Sequence, residues 1–208
     1  MWIGETFTSD AGWDHLERLV DLDTRMAGSD GERRAAVATR DALERVGARD
    51  ARIDDFPVQG WKRGTSAIEA GGTTQDCIAL PRSPSATVTG ELVDLGHGLP
   101  ADFEAADLAG AVVLARSDAP AHHDRYVHRR EKYHYAVEHG AAAFVYRNHV
   151  PGQLPPTGSV GSADAPIGPI PAVGVSREVG ARLARRFDGD SVTVAVEAET
   201  GDATSGCS

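Results

Sequence analysis

Lysine is nearly absent. Lys62 and Lys132 are the only two in a chain of 208 residues, against nineteen arginines. Positive charge as a whole is short: 21 basic residues face 31 acidic ones, a net charge of −10. A nucleic-acid-binding domain of this size carries a basic excess, so that class is excluded. Cysteine is equally scarce. Cys77 and Cys207 stand alone and far apart, which is no disulfide framework. Nor do two cysteines make a four-ligand zinc site without histidines. No apolar run approaches the length of about 18 residues that spans a bilayer. The start, Met1-Trp2-Ile3-Gly4-Glu5, has neither a basic nor an apolar leader region, so no secretory signal is expected there.

The acidic side is Asp-rich, with 19 Asp to 12 Glu. A GC-rich genome accounts for arginine in place of lysine, but not for the acidic excess. A dense acidic shell repels itself unless salt screens it. The composition therefore points to a salt-adapted cytoplasm.

Hydrophobic spacing outlines the elements. Trp13, Leu16, Leu19 and Val20 recur at helical intervals. Ser29-Asp30-Gly31-Glu32 reads as a capping box opening a helix over 29–46. Ala35, Ala38, Ala42 and Val46 form one face, and Gly47 is its left-handed stop. Strand-like stretches follow near 51–58 and 65–69, with Gly60 as a break and Gly71-Gly72 closing the pair. Residues 88–95 read as a strand, and Leu99–Phe103 as a turn into a short helix. Ala111–Ala115 and Ala141–Tyr146 are apolar throughout, the pattern of strands buried on both faces. Arg129–His139 reads as a helix with Tyr133, Ala136 and Val137 inward. Ser176 opens another to about Phe187, after a short strand at Ala172–Val175. Val192, Val194 and Val196 alternate as in a half-buried strand. Residues 150–171 hold six prolines and four glycines and read as a loop.

Two series of motifs carry a resemblance. Gly90-Glu91-Leu92-Val93-Asp94-Leu95-Gly96, Asp107-Leu108-Ala109-Gly110-Ala111-Val112-Val113-Leu114, Glu138-His139-Gly140-Ala141 and Ile170-Pro171-Ala172-Val173 together resemble a protease-associated (PA) domain. Arg25-Met26-Ala27-Gly28-Ser29-Asp30-Gly31 and the helix to Gly47 resemble the opening of zinc aminopeptidases of the bacterial leucyl aminopeptidase and glutamate carboxypeptidase type. The resemblance implies an α/β (α+β) fold. Residues 1–75 would be the N-terminal part of the aminopeptidase-like domain, with helices and a β-hairpin. Residues 76–188 would be a β-rich PA domain with flanking helices, and 189–208 a return strand. The acidic composition adds a haloarchaeal type.

In that family two zinc ions are held by a His-x-Asp pair, a Glu-Glu doublet, a further acid and a late His, all after the inserted domain. Such ions polarise the carbonyl and supply hydroxide, and a carboxylate moves the proton. This sequence has no Glu-Glu doublet, and none of the ten residues after Ala198 is His. The resemblance therefore implies the front part of a peptidase, truncated before its metal ligands, with no cofactor in this chain and two zinc ions in the intact enzyme. The expected activity of that enzyme is removal of N-terminal residues from peptides. The alternative is a free-standing PA-type module that binds peptides or partners without catalysis. The expected partners are a peptide substrate, no nucleic acid and no membrane, with self-association through exposed apolar faces of the N-terminal helices.

Local candidates are few. His122-His123-Asp124 satisfies His-x-Asp, making His122 and Asp124 candidate metal ligands. Six of the eight histidines lie between positions 122 and 149, but Arg125, Arg129 and Arg130 crowd the same stretch and disfavour a dication. Gly96-His97-Gly98 lacks the following helix of a phosphate loop. Tyr126, Tyr133, Tyr135 and Tyr146 read as packing more than as a binding platform. Arg147-Asn148-His149 leads into the long loop and is the candidate for substrate access, since loops of that length are commonly functional.

Overall fold

The computed structural model describes residues 4 and 8–207, the last without its side chain. The leader reading on Met1–Glu5 falls outside them, Gly4 excepted. The chain forms two compact units: residues 1–62 with 200–208, and residues 63–199.

The first unit holds α1 (Ala11–Val20) and α2 (Asp30–Arg45). Ser29 caps α2 as its sequence predicts, its Oγ accepting the Glu32 N–H at 3.1 Å. The reciprocal arm differs. The Glu32 carboxylate takes the Gly28 N–H at 2.6 Å, not that of Ser29, and it also accepts the Ser205 hydroxyl. The buried face of α2 is Gly31, Ala36 and Ala38, whereas Val46 is exposed. The predicted face of Ala35, Ala38, Ala42 and Val46 is therefore rotated: small residues take the inner side.

Strand β1 (Asp54–Ala70) is one piece of 17 residues, continuous through Gly60. Gly60 and Gly64 are not turn residues. A Cβ on Gly60 would lie 2.9 Å from Ala203 Cβ, and one on Gly64 2.7 Å from the Glu197 carbonyl. They let a neighbouring strand approach closely. The hairpin instead follows Gly71-Gly72, where β1 pairs antiparallel with β2 (Thr73–Gln75).

The second unit continues with β3 (Ile78–Ala79), β4 (Ala86–Asp94), α3 (Pro100–Ala105), β5 (Val112–Arg116), α4 (Arg129–Glu138), β6 (Ala143–Arg147), β7 (Ala172–Val175), α5 (Arg177–Phe187) and β8 (Ser191–Cys207). Among the described residues, eight strands form one sheet in the order β2-β1-β8-β4-β5-β6-β7-β3. Strands β4 to β7 run parallel, and β8 and β3 pair antiparallel on either side of them. This mixed α/β arrangement is the expected fold class. Val113, Ala115, Phe144 and Tyr146 turn to one face, where Phe103 of α3 and Tyr133 and Ala136 of α4 complete a core. Alternation sends Val112, Leu114 and Val145 to the other face, which α5 covers with Leu183 and Phe187.

The loop 150–171 has no regular element, yet it is anchored. Tyr133 Oη donates to Ile170 O at 2.8 Å and accepts Ile170 N–H at 3.0 Å. Arg129 donates to Ser159 O and Thr157 O, and Val160 is buried. No helix among the described residues is long and apolar enough to cross a membrane.

Candidate functional site

Parallel strands end together at one edge, and in open α/β sheets that carboxyl edge is where ligands bind. Here it gathers His97 after β4, Arg116-Ser117-Asp118 at the end of β5, and Arg147-Asn148-His149 at the end of β6. The stretch singled out for substrate access is thus at the edge, but its three side chains do different things.

Asn148 holds its own turn. Its amide donates to Leu154 O at 2.9 Å and its carbonyl oxygen accepts Val150 N–H at 3.1 Å. His149 ties β6 to β5. Its backbone N–H donates to Ser117 Oγ at 2.9 Å, and its Nδ1 lies 2.7 Å from the same oxygen. Ser117 is buried, and these two contacts make it a link between the ends of β5 and β6. Arg147 remains: its guanidinium makes no hydrogen bond or salt bridge among the described residues.

Asp118 organises the other side. Its carboxylate accepts from Arg116 Nη2 at 2.7 Å and lies 3.1 Å from His97 Nδ1. Burial acts to raise its pKa, but Arg116 and His97 outweigh it and hold Asp118 below the usual carboxylate range. Beneath them lies Lys132 of α4, fully buried. Its Nζ donates to three carbonyls: His97 O and Arg116 O at 2.6 Å, and Asp118 O at 2.9 Å. Burial lowers this ammonium to about 8, with Asp118 opposing. Sequence reading missed Lys132, because a lone lysine in a polar helix reads as a solvated side chain. Its only signal was scarcity.

The tyrosines pack. Tyr146 and Tyr126 hydroxyls stand 3.3 Å apart beside Ser117 O, and burial pushes the Tyr146 phenol well above its usual range. Burial also lifts Tyr133, to about 12. Tyr135 stacks on Phe103 at 5.5 Å.

His122 and Asp124 are exposed in the turn before α4. The other histidines are dispersed: His128 caps α4, His134 pairs with Glu138 at 3.1 Å, and His139 Nδ1 lies 2.8 Å from Tyr135 O. Among the described residues no three His, Cys, Asp or Glu side chains stand together as metal ligands. The side chains among the described residues therefore do not assemble the two-zinc centre that the resemblance implies.

Residues 88–183 match the family model of the PA domain. No curated protein matches the chain. Among solved structures it is similar to an aminopeptidase from Aneurinibacillus sp. strain AM-1, at 26% identity and TM-score 0.64, over 95% of this chain and 46% of that one. It is similar to BSAP, a zinc aminopeptidase from Bacillus subtilis, at 21% identity and TM-score 0.67, over 95% and 45%. It also resembles a peptidase M28 precursor from Shewanella amazonensis SB2B, at 19% identity and TM-score 0.71, over 98% and 50%. The last two likenesses show the fold alone. The chain spans about half the length of these structures. Residues 88–183 thus match a PA domain, within a longer stretch whose fold is similar to about half of each of these structures.

Proposed function

We propose that this chain is the N-terminal and PA-domain portion of a zinc aminopeptidase that removes N-terminal residues from peptides, its metal-binding half lying outside these 208 residues. The observation that carries the reading is the likeness to the Aneurinibacillus aminopeptidase: it runs over 95% of this chain but 46% of that one. It therefore takes in the N-terminal helices as well as the PA domain. The exposure of Trp13, Leu16 and Val20 on α1 supports a further apolar partner for that helix, either the catalytic part or a second copy. The acidic excess supports a salt-rich cytoplasm as its setting.

Two measurements test the reading. The chain alone, with added zinc, is assayed on an aminoacyl anilide, and no turnover is expected. Turnover by this polypeptide overturns the claim that the metal-binding half lies elsewhere. The genomic sequence downstream is then read in all frames for a His-x-Asp within a few dozen codons. Its absence favours the other reading, a free-standing PA module that binds peptides without catalysis.

A further inference from the structure

Arg116 and Arg147 are register partners on adjacent parallel strands, where backbones lie about 4.8 Å apart. Partnered residues share a face, so the two arginine side chains leave the sheet from neighbouring positions at the carboxyl edge, on the side covered by α5, near enough for the Arg116 charge to act on Arg147. Like charges placed so are destabilising unless something negative lies between them. Only one of them is held in a direct salt bridge. Arg116 Nη2 binds Asp118, but Arg116 Nε is buried without a partner. Arg147 Nε is also buried without a partner, and no carboxylate meets its guanidinium. Asp94 and Asp118 are near enough to act on Arg147 electrostatically, yet neither forms a salt bridge with it.

The placement of Arg147 is built into the packing. Its stem lies against Gly180 of α5, where any Cβ would collide with it. At the start of α5, Ser176 Oγ takes the Val179 N–H. The unanswered donors are those of the two arginines.

We propose that the Arg116–Arg147 pair is a binding site for a single carboxylate, presented by the C-terminus or an acidic side chain of a peptide. The forked guanidinium matches the two oxygens of a carboxylate. The local balance favours one negative charge over two: Arg116, Arg147 and Arg177 already face Asp94, Asp118 and Glu178. A carboxylate takes that even balance to −1 and a phosphate dianion to −2, the larger cost in a chain that already carries −10. That the carboxylate belongs to a peptide rests on the peptidase reading above; the site itself does not.

The test is a titration of the full chain, followed by backbone amide resonances. The probes are an N-acetyl dipeptide with a free C-terminal carboxylate, the same peptide as its C-terminal amide, and inorganic phosphate. The carboxylate peptide is expected to shift resonances at the ends of β5 and β6 and the start of α5, and the amide is expected to leave them in place. Arg147→Gln weakens binding at least tenfold. Arg147→Lys, which keeps the stem and charge but not the fork, falls between; circular dichroism shows that each variant is folded. If Arg147→Gln fails to fold, the lysine variant and the carboxylate–amide contrast still decide. No binding, equal binding of the amide, tighter binding of phosphate, or undiminished binding by the folded variants overturns the proposal. Hydrolysis does not enter the readout. Turnover by the chain alone, which overturns the peptidase reading, leaves carboxylate binding to stand or fall by itself.

Discussion

Lys132 sets the terms at the scale of single residues. Its three carbonyl partners come from the loop after β4 and from the end of β5, so one ammonium joins two strand ends from below. Lys132→Met fills the same volume but orphans three buried acceptors. Each buried, unmet polar group costs about 1–3 kcal/mol, so a loss of at least roughly 3 kcal/mol is expected in urea unfolding. The pH dependence has a definite sign. Folding lowers this group from 10.5 to about 8, so between those values the unfolded chain binds more protons. Stability from this group is therefore lowest below about 8 and rises as pH climbs towards 10.5. Tyr133 works in the opposite direction above its unfolded value, since folding raises it from 10.0 to about 12. The diagnostic quantity is the wild-type minus Lys132→Met difference, which should grow in favour of the wild type between pH 8 and 10. A flat difference contradicts a charged, buried Lys132. None of this was legible in the sequence, because the carbonyls lie 14 to 35 residues away from Lys132 and carry no side-chain signature.

At the scale of elements, two regions should respond differently to stress. The loop 150–171 has the composition of a surface connection, and its prolines and glycines were readable as such. What the sequence did not reveal is its attachment through Arg129 and Tyr133, since both sit in a helix whose polar positions read as solvated. Arg129→Met removes the donors to Thr157 O and Ser159 O. Limited proteolysis within 150–171 should then speed up several-fold, with little change in the melting temperature, as befits local opening. Cleavage at the wild-type rate rules out the anchoring role. Helices α1 and α2 form the second region. Helix α1 buries no residue, while β5, β6 and β7 are almost wholly buried. Amide hydrogens of α1 and α2 should therefore exchange first, and those of β5 to β7 last. The reverse order counts against the first unit as the front edge of a larger domain. The apolar runs of β5 and β6 announced themselves because burial on both faces leaves no polar alternation to misread. Strand β1 was misread as two pieces because Gly60 signals a turn unless its neighbour is known.

At the scale of the whole molecule, charge decides. An excess of ten acidic residues repels itself at every ionic strength, and its range shrinks from about 10 Å in 0.1 M salt to about 3 Å in 1 M. Salt also weakens the attractive pairs, so the sign needs weighing. Arg33–Asp55, Arg52–Asp54 and Arg34–Asp23 are all at least half exposed. Exposed pairs of this kind contribute about 0–1 kcal/mol each, and their loss is small. The buried contacts at the carboxyl edge, Lys132 and its carbonyls among them, are screened far less. Relief of the net repulsion therefore outweighs the loss of surface pairs, and the melting temperature should climb as KCl is raised from about 0.1 M to molar concentrations. Sucrose at matched osmolality separates screening from general exclusion of cosolvent: it should leave most of the KCl effect unreproduced. A melting temperature that stays level or falls with KCl would reduce the arginine bias to a matter of codon usage and strip the acidic surface of its adaptive reading.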